Sequence, residues 1–170
     1  EPLVRAQLGS RYNDLDINPE PLGAASLAQV HRARRRSDGA EMVLKIQYPG
    51  VAEAIDSDLN LVTQMLRLTR AVPQTREFDE WLEEVRMMMH REVNYRLEAE
   101  TTRLFCEFLK DDPRFVVPKI YPEYCGDHLL VMSFEHGVSV NSEAVLSLPA
   151  ARKNALAIAA LEVCCQEVFQ

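Results

Sequence analysis

Apolar and polar positions alternate from Ser26 to Arg36, and a second run rich in β-branched and large apolar residues extends from Met42 to Tyr48. Ser37-Asp38-Gly39 separates them with hairpin-turn chemistry, which predicts two antiparallel strands. Pro49-Gly50 ends the second strand. From Val51 to Leu68 the period changes: Ile55, Leu59, Val62 and Leu66 recur at helical spacing, and Pro73 closes that helix. A longer amphipathic pattern begins after Thr75, with Phe78, Trp81, Leu82, Val85, Met88 and Met89 on one stripe, and helical propensity persists to about Leu109 before Asp111-Asp112-Pro113.

The runs Val116–Tyr124 and Leu129–Phe134, separated by Gly126-Asp127, predict a second hairpin, and Ser147–Phe169 predicts a helix with Pro149 near its start. A leading segment, residues 1–20, ends in Asn18-Pro19-Glu20-Pro21, which cannot be helical throughout because each proline restrains its predecessor. Strands, two helices, strands and a helix in that order predict an α+β fold rather than a doubly wound parallel sheet.

Composition narrows the function classes. Hydrophobic residues make up 47% and charged residues 26%, as in ordinary globular domains. The net charge of -7 argues against nucleic-acid binding, which needs a surplus of Lys and Arg on one face. The short basic run Arg32–Arg36 abuts the turn and reads as a solvated strand end, with a phosphate or lipid-headgroup patch as the alternative. Cys106, Cys125, Cys164 and Cys165 lack metal-ligand spacing, and reduced thiols are expected. His31, His90, His128 and His136 are scattered and read as structural or surface residues, while Trp81, Phe105 and Phe108 are core candidates. No signal peptide and no stretch long enough to span a bilayer are evident.

Two charged residues stand where apolar ones are expected. Lys45 lies inside Met42-Val43-Leu44-Lys45-Ile46-Gln47 and projects opposite Leu44 and Ile46. Glu92 continues the stripe of Val85 and Met89, so a continuous helix aims its carboxylate inward. Each also has a plain reading: Lys45 on the solvated side of a half-buried strand, Glu92 on a helix that has rotated or ended. Together they match the kinase arrangement, in which a strand lysine holds nucleotide phosphates and a helix carboxylate orients it. Ahead of the lysine strand, Gly23-Ala24-Ala25-Ser26 is a small-residue bend of the kind that lets backbone N–H groups approach a ligand.

At these residues the chain resembles the UbiB family of aarF-type atypical kinase-like proteins. The resemblance is carried by PLGAASLAQVHRA (21–33), VLKIQYPGVAEAIDSDLN (43–60), HREVNYRLEAE (90–100), VVPKIY (116–121) and LLVMSFEHG (129–137). It implies a protein-kinase-like N-lobe, an antiparallel sheet with family-specific helices, over residues 21–134. A hinge and the start of a C-lobe would occupy 135–170. Gly23, Ala24, Ala25 and Ser26 would replace the usual glycine-rich loop, and Lys45 would be the nucleotide-phosphate lysine with Glu92 its ion-pair partner. Glu98 matches a further acidic position, Val43 would border the adenine, and Met132, Ser133 and Phe134 would lie at the hinge.

The cofactors so implied are ATP and Mg2+, with the metal-binding and catalytic motifs expected beyond Gln170 and a Lys-x-Gly-Gln motif before Glu1. This stretch alone is then expected to be inactive and to bind ATP weakly. Two residues depart from the family pattern: Asn94 stands where Glu-x-Asp usually ends, and Val43 where a small alanine is usual. The implied role is an ATP-dependent kinase or ATPase of isoprenoid-quinone biosynthesis at a membrane surface. Expected partners are nucleotide, isoprenoid lipid or quinone-biosynthesis proteins. The expected location is the bacterial inner-membrane face or the mitochondrial matrix side. A non-catalytic, pseudokinase-like regulator is the second reading, and a helical interaction domain with accidental similarity is the third.

Overall fold

Four strands, β1 (Leu15–Ala25), β2 (Ala28–Arg35), β3 (Glu41–Gln47) and β4 (Leu129–Ser133), form one antiparallel sheet in the order β1-β2-β3-β4. The computed structural model describes residues 2–25, 27–72 and 75–168. Six α-helices accompany the sheet among them: α1 (Pro2–Leu8), α2 (Val51–Leu68), α3 (Arg76–Glu92), α4 (Tyr95–Phe108), α5 (Glu143–Leu146) and α6 (Ala150–Val168).

The chain divides into two compact units. Residues 1–110 with 117–134 hold the sheet and α1 to α4, and residues 111–116 with 135–170 hold α5 and α6. Within the second unit, Arg114 pairs with Asp112 at 2.7 Å and with Glu162 of α6 at 2.6 Å.

Alternation gives the sheet two different faces. Met42 and Leu44 of β3, Ala33 of β2 and Leu129 and Val131 of β4 point to one side, where they are buried against Val4 and Leu8 of α1, Leu15 and Tyr124. Ala28 and Leu130 point to the other, where they pack against Tyr95 of α4 and Ile120. The first face makes a dry core; the second carries Val43, Lys45 and Gln47.

Residues 1–20 are therefore not a separate leading segment. Val4 and Leu8 belong to the core, and β1 begins at Leu15 and runs through Pro19 and Pro21. The prolines are tolerated because β1 is an edge strand, where a missing donor costs little. They leave their mark as register shifts between Ile17 and Pro21 and between Pro21 and Gly23. Asn18, in that irregular stretch, accepts a bond on its carbonyl from His31 Nδ1 at 2.9 Å.

The second predicted hairpin is only half formed. Leu129–Ser133 pairs with β3, but residues 116–121 touch it through a single bridge, Ile120 to Met132, before a short 3-10 helix at Pro122–Tyr124. Pro118 and Pro122 supply no backbone donors, which confines the pairing to bonds such as Tyr121 N to Val131 O at 3.0 Å.

The helix expected to run to Leu109 is two helices. α3 ends at Glu92, and Asn94 caps α4 by accepting the Leu97 N–H on its side chain at 3.0 Å. α2 has the predicted bounds, while Pro73 lies outside the described residues. α2 is joined to α3 by polar contacts: Arg86 binds Asp56 and, at 2.9 Å, Asn60, and His90 reaches Asp56 at 3.1 Å. Trp81 and Phe108 are exposed rather than core residues; Trp81 packs on Phe78 along α3. Three arginines of the basic run pair with carboxylates, Arg32 with Glu41, Arg35 with Asp38 and Arg36 with Asp16, while Arg34 donates to Gly39 O at 3.1 Å.

Replacing the α4 cap, Asn94→Ala, is expected to cost about 1 kcal/mol in urea unfolding. Asn94→Asp should cost nothing, because a carboxylate accepts the same bond at the positive end of the helix. An equal loss in both variants would show that Asn94 does not act as a cap.

Candidate active site

The second face of the sheet aligns one row of residues across all four strands: Gly23 opposite Val30, Val30 opposite Lys45, and Lys45 opposite Leu130. The space above Gly23 is open, since a Cβ there would meet no atom within 4 Å. The row below contains Ala25, Ala28 and Gln47, and the row above contains Arg32, Val43 and Met132. Lys45 thus sits at the centre of a face with a small-residue edge on one side and the covering helix α4 at one end.

Lys45 Nζ donates to both carboxylate oxygens of Glu98, at 2.8 and 2.7 Å. The side chains are 25% and 34% exposed, so the pair is partly shielded rather than dissolved in bulk water. The ammonium also lies 5.0 Å from the centre of the Tyr95 ring, a favourable cation–π placement. Burial, and then the Glu98 charge, raise the Tyr95 hydroxyl well above its ordinary pKa, so it stays protonated under the pair. An ammonium has three donors. Two are committed to Glu98, which leaves one for an incoming anion.

Glu98 holds the position in the ion pair that the sequence assigns to Glu92. Glu92 is exposed at the last position of α3 and lines the same cleft as Lys45, Arg91, Glu98 and Thr101, a hollow of about 530 Å³. The helix break explains the difference: once the chain turns at Val93 and restarts at Asn94, the stripe of α3 no longer predicts the inward face of α4. The Asn94 cap, three residues before Leu97, is the signal that locates the restart.

The remaining expected site residues are spread along the strands. Gly23 and Ala24 lie on β1 opposite Val30 and Gln29, Ala25 pairs with Ala28, and Ser26 lies outside the described residues. Val43 and Met132 face each other across β3 and β4 on the lysine side. Ser133 is opposite Met42 and so turns to the other face, where its hydroxyl accepts the Lys119 N–H at 2.8 Å. Phe134, one residue past β4, lies 4.2 Å from the Arg32 guanidinium, and its N–H donates to Glu41 O at 3.1 Å.

An antiparallel sheet whose third strand carries a lysine paired to a glutamate on the covering helix is the N-lobe arrangement of a protein-kinase-like fold. The same fold is present in the solved structure of Rv3197 from Mycobacterium tuberculosis in complex with erythromycin, with a TM-score of 0.66 and 31% identity over 81% of this chain and 35% of that one. The ABC1 atypical kinase-like domain matches residues 2–170, and the chain belongs to this family.

The mitochondrial atypical kinase COQ8 of Saccharomyces cerevisiae is 36% identical over 99% of this chain and 33% of its own length. Mitochondrial COQ8B of Danio rerio is 32% identical over 99% of this chain and 27% of its own. The chain therefore spans about a third or less of the curated relatives it matches. Family membership removes the reading of an accidental similarity.

A double-mutant cycle of Lys45→Met with Glu98→Gln should give a coupling of about 1 kcal/mol in unfolding free energy, the upper range for a partly exposed pair. The same cycle with Glu92→Gln should give none. Coupling to Glu92 instead would restore the pairing read from the sequence.

Proposed function

We propose that the lysine face of this sheet binds the phosphates of ATP, and that the protein is an atypical kinase or ATPase of isoprenoid-quinone biosynthesis. The observation that carries this is the two-point grip of Glu98 on Lys45 at 2.7 and 2.8 Å beneath an open, small-residue edge. Triphosphate needs a positive charge fixed in place, and a flexible lysine is fixed only when a second charge holds it. Lys45 binds and orients the phosphates, Glu98 orients Lys45, and the backbone at Gly23 and Ala24 borders the space the phosphates would fill. Val43 and Met132, one row away, would border the base, and Phe134 marks the start of the hinge. Mg2+, when bound with the nucleotide, would neutralise developing charge on the phosphates.

The quinone context and a mitochondrial location rest on the family and on relatives whose names place them in mitochondria. Among the described residues no helix is long and apolar enough to cross a membrane. Asn94 caps α4 as an aspartate would, and its departure from the family pattern gives the non-catalytic reading no separate support.

In the full-length protein, Mg-ATP should raise the melting temperature, and Lys45→Ala should abolish that shift while leaving the apo protein folded. A shift of undiminished size in Lys45→Ala would end the phosphate role assigned to this residue.

A further inference from the structure

We propose that Gln47 is a positioning residue for the Lys45–Glu98 pair, acting by tying the break between α3 and α4 to the end of β3. Gln47 stands two residues after Lys45 on the same face of β3, and it is 3% exposed. A buried amide must satisfy both its donor and its acceptor. Its Nε2 donates to Val93 O at 3.0 Å, and its Oε1 accepts from His128 Nδ1. Its own backbone N–H donates to His128 O at 3.0 Å.

The Val93 carbonyl fixes which end of the amide is the donor, and this in turn makes His128 the donor on Nδ1. Val93 is the C-cap of α3, whose final carbonyls have no partner within the helix, so Gln47 satisfies an acceptor that would otherwise be orphaned and buried.

Val93 leads directly into the helix that carries the carboxylate of the pair. Asn94 caps α4, Tyr95 packs into the sheet, and Glu98 N donates to Asn94 O at 3.0 Å in the first turn. Four residues separate the anchored carbonyl of Val93 from Glu98, whose carboxylate grips Lys45. Packing by Tyr95 is non-directional and permits α4 to slide or rotate on the sheet. The Gln47 bond is directional and sets where the helix starts. Lysine and anchor sit on one strand, so the distance from Lys45 to the start of α4 is set by β3 itself.

The effect of Gln47 on ligand affinity rests on the phosphate-binding reading; its effect on α4 does not. The test uses Gln47→Glu, which keeps the size and the acceptor for His128 but turns an oxygen toward the Val93 carbonyl, and Gln47→Leu, which removes both polar atoms. In the full-length protein, hydrogen exchange at Leu97 and Glu98 should quicken about tenfold in either variant, and Mg-ATP affinity by calorimetry should fall about tenfold.

In a Glu98→Gln background the same substitutions should quicken exchange again but weaken Mg-ATP no further, which a merely stabilising role would not produce. Unchanged exchange, or a loss of affinity that adds fully to that of Glu98→Gln, overturns the proposal. Lys45→Ala with undiminished affinity would instead sink the phosphate-binding reading and leave the exchange result to decide Gln47 alone.

Discussion

An ammonium group shielded from water on a sheet face needs a counter-charge beside it, and Lys45 and Glu98 meet across 53 residues of sequence. Everything that brings them together is visible in the architecture around them. Strand alternation puts Lys45 opposite Leu44 and its dry core, so the lysine cannot retreat into the first face. Tyr95 closes the sheet beside it, and Asn94 starts the helix at the register that turns Glu98 downward. The hydrophobic core and the charged face are thus made by the same four strands, on alternate residues.

Much of this architecture is legible in the amino-acid pattern alone. The β2–β3 hairpin comes from alternation and Ser37-Asp38-Gly39, and α2 comes from a clean helical period between Gly50 and Leu68. Lys45 stands out because a charge in an apolar strand demands an explanation. Helical phase is harder to read. Spacing carries over from residue to residue only while the helix continues, and the turn at Val93 resets it, which moves the inward carboxylate from Glu92 to Glu98. The prolines mislead in a different way: Pro19 and Pro21 argue against a central strand but not against an edge strand, and edge position is a property of the whole sheet. Trp81 and Phe108 illustrate a third limit, since the period of a helix tells which residues share a face but not whether anything covers it.

The departures from the family pattern look different once placed. Asn94 in place of an aspartate changes the charge at the start of α4 but keeps the acceptor that the Leu97 amide requires, so the local geometry has no reason to change. Val43 is another matter. It faces Met132 across the sheet one row from Lys45, so its methyl groups take up room on the lysine face. Substitution at this position alters the space available rather than the fold, because the dry core lies on the other side.

The irregular edge of β1 also bears on how these molecules behave in a crowd. An unbroken outer strand offers its unpaired amides and carbonyls to any extended chain that drifts past, and stacking of sheet on sheet is the usual result. With two imino residues and two slips of register, Leu15–Ala25 makes a poor template for such docking. Strand addition along the edge that leads up to Gly23 is thereby disfavoured.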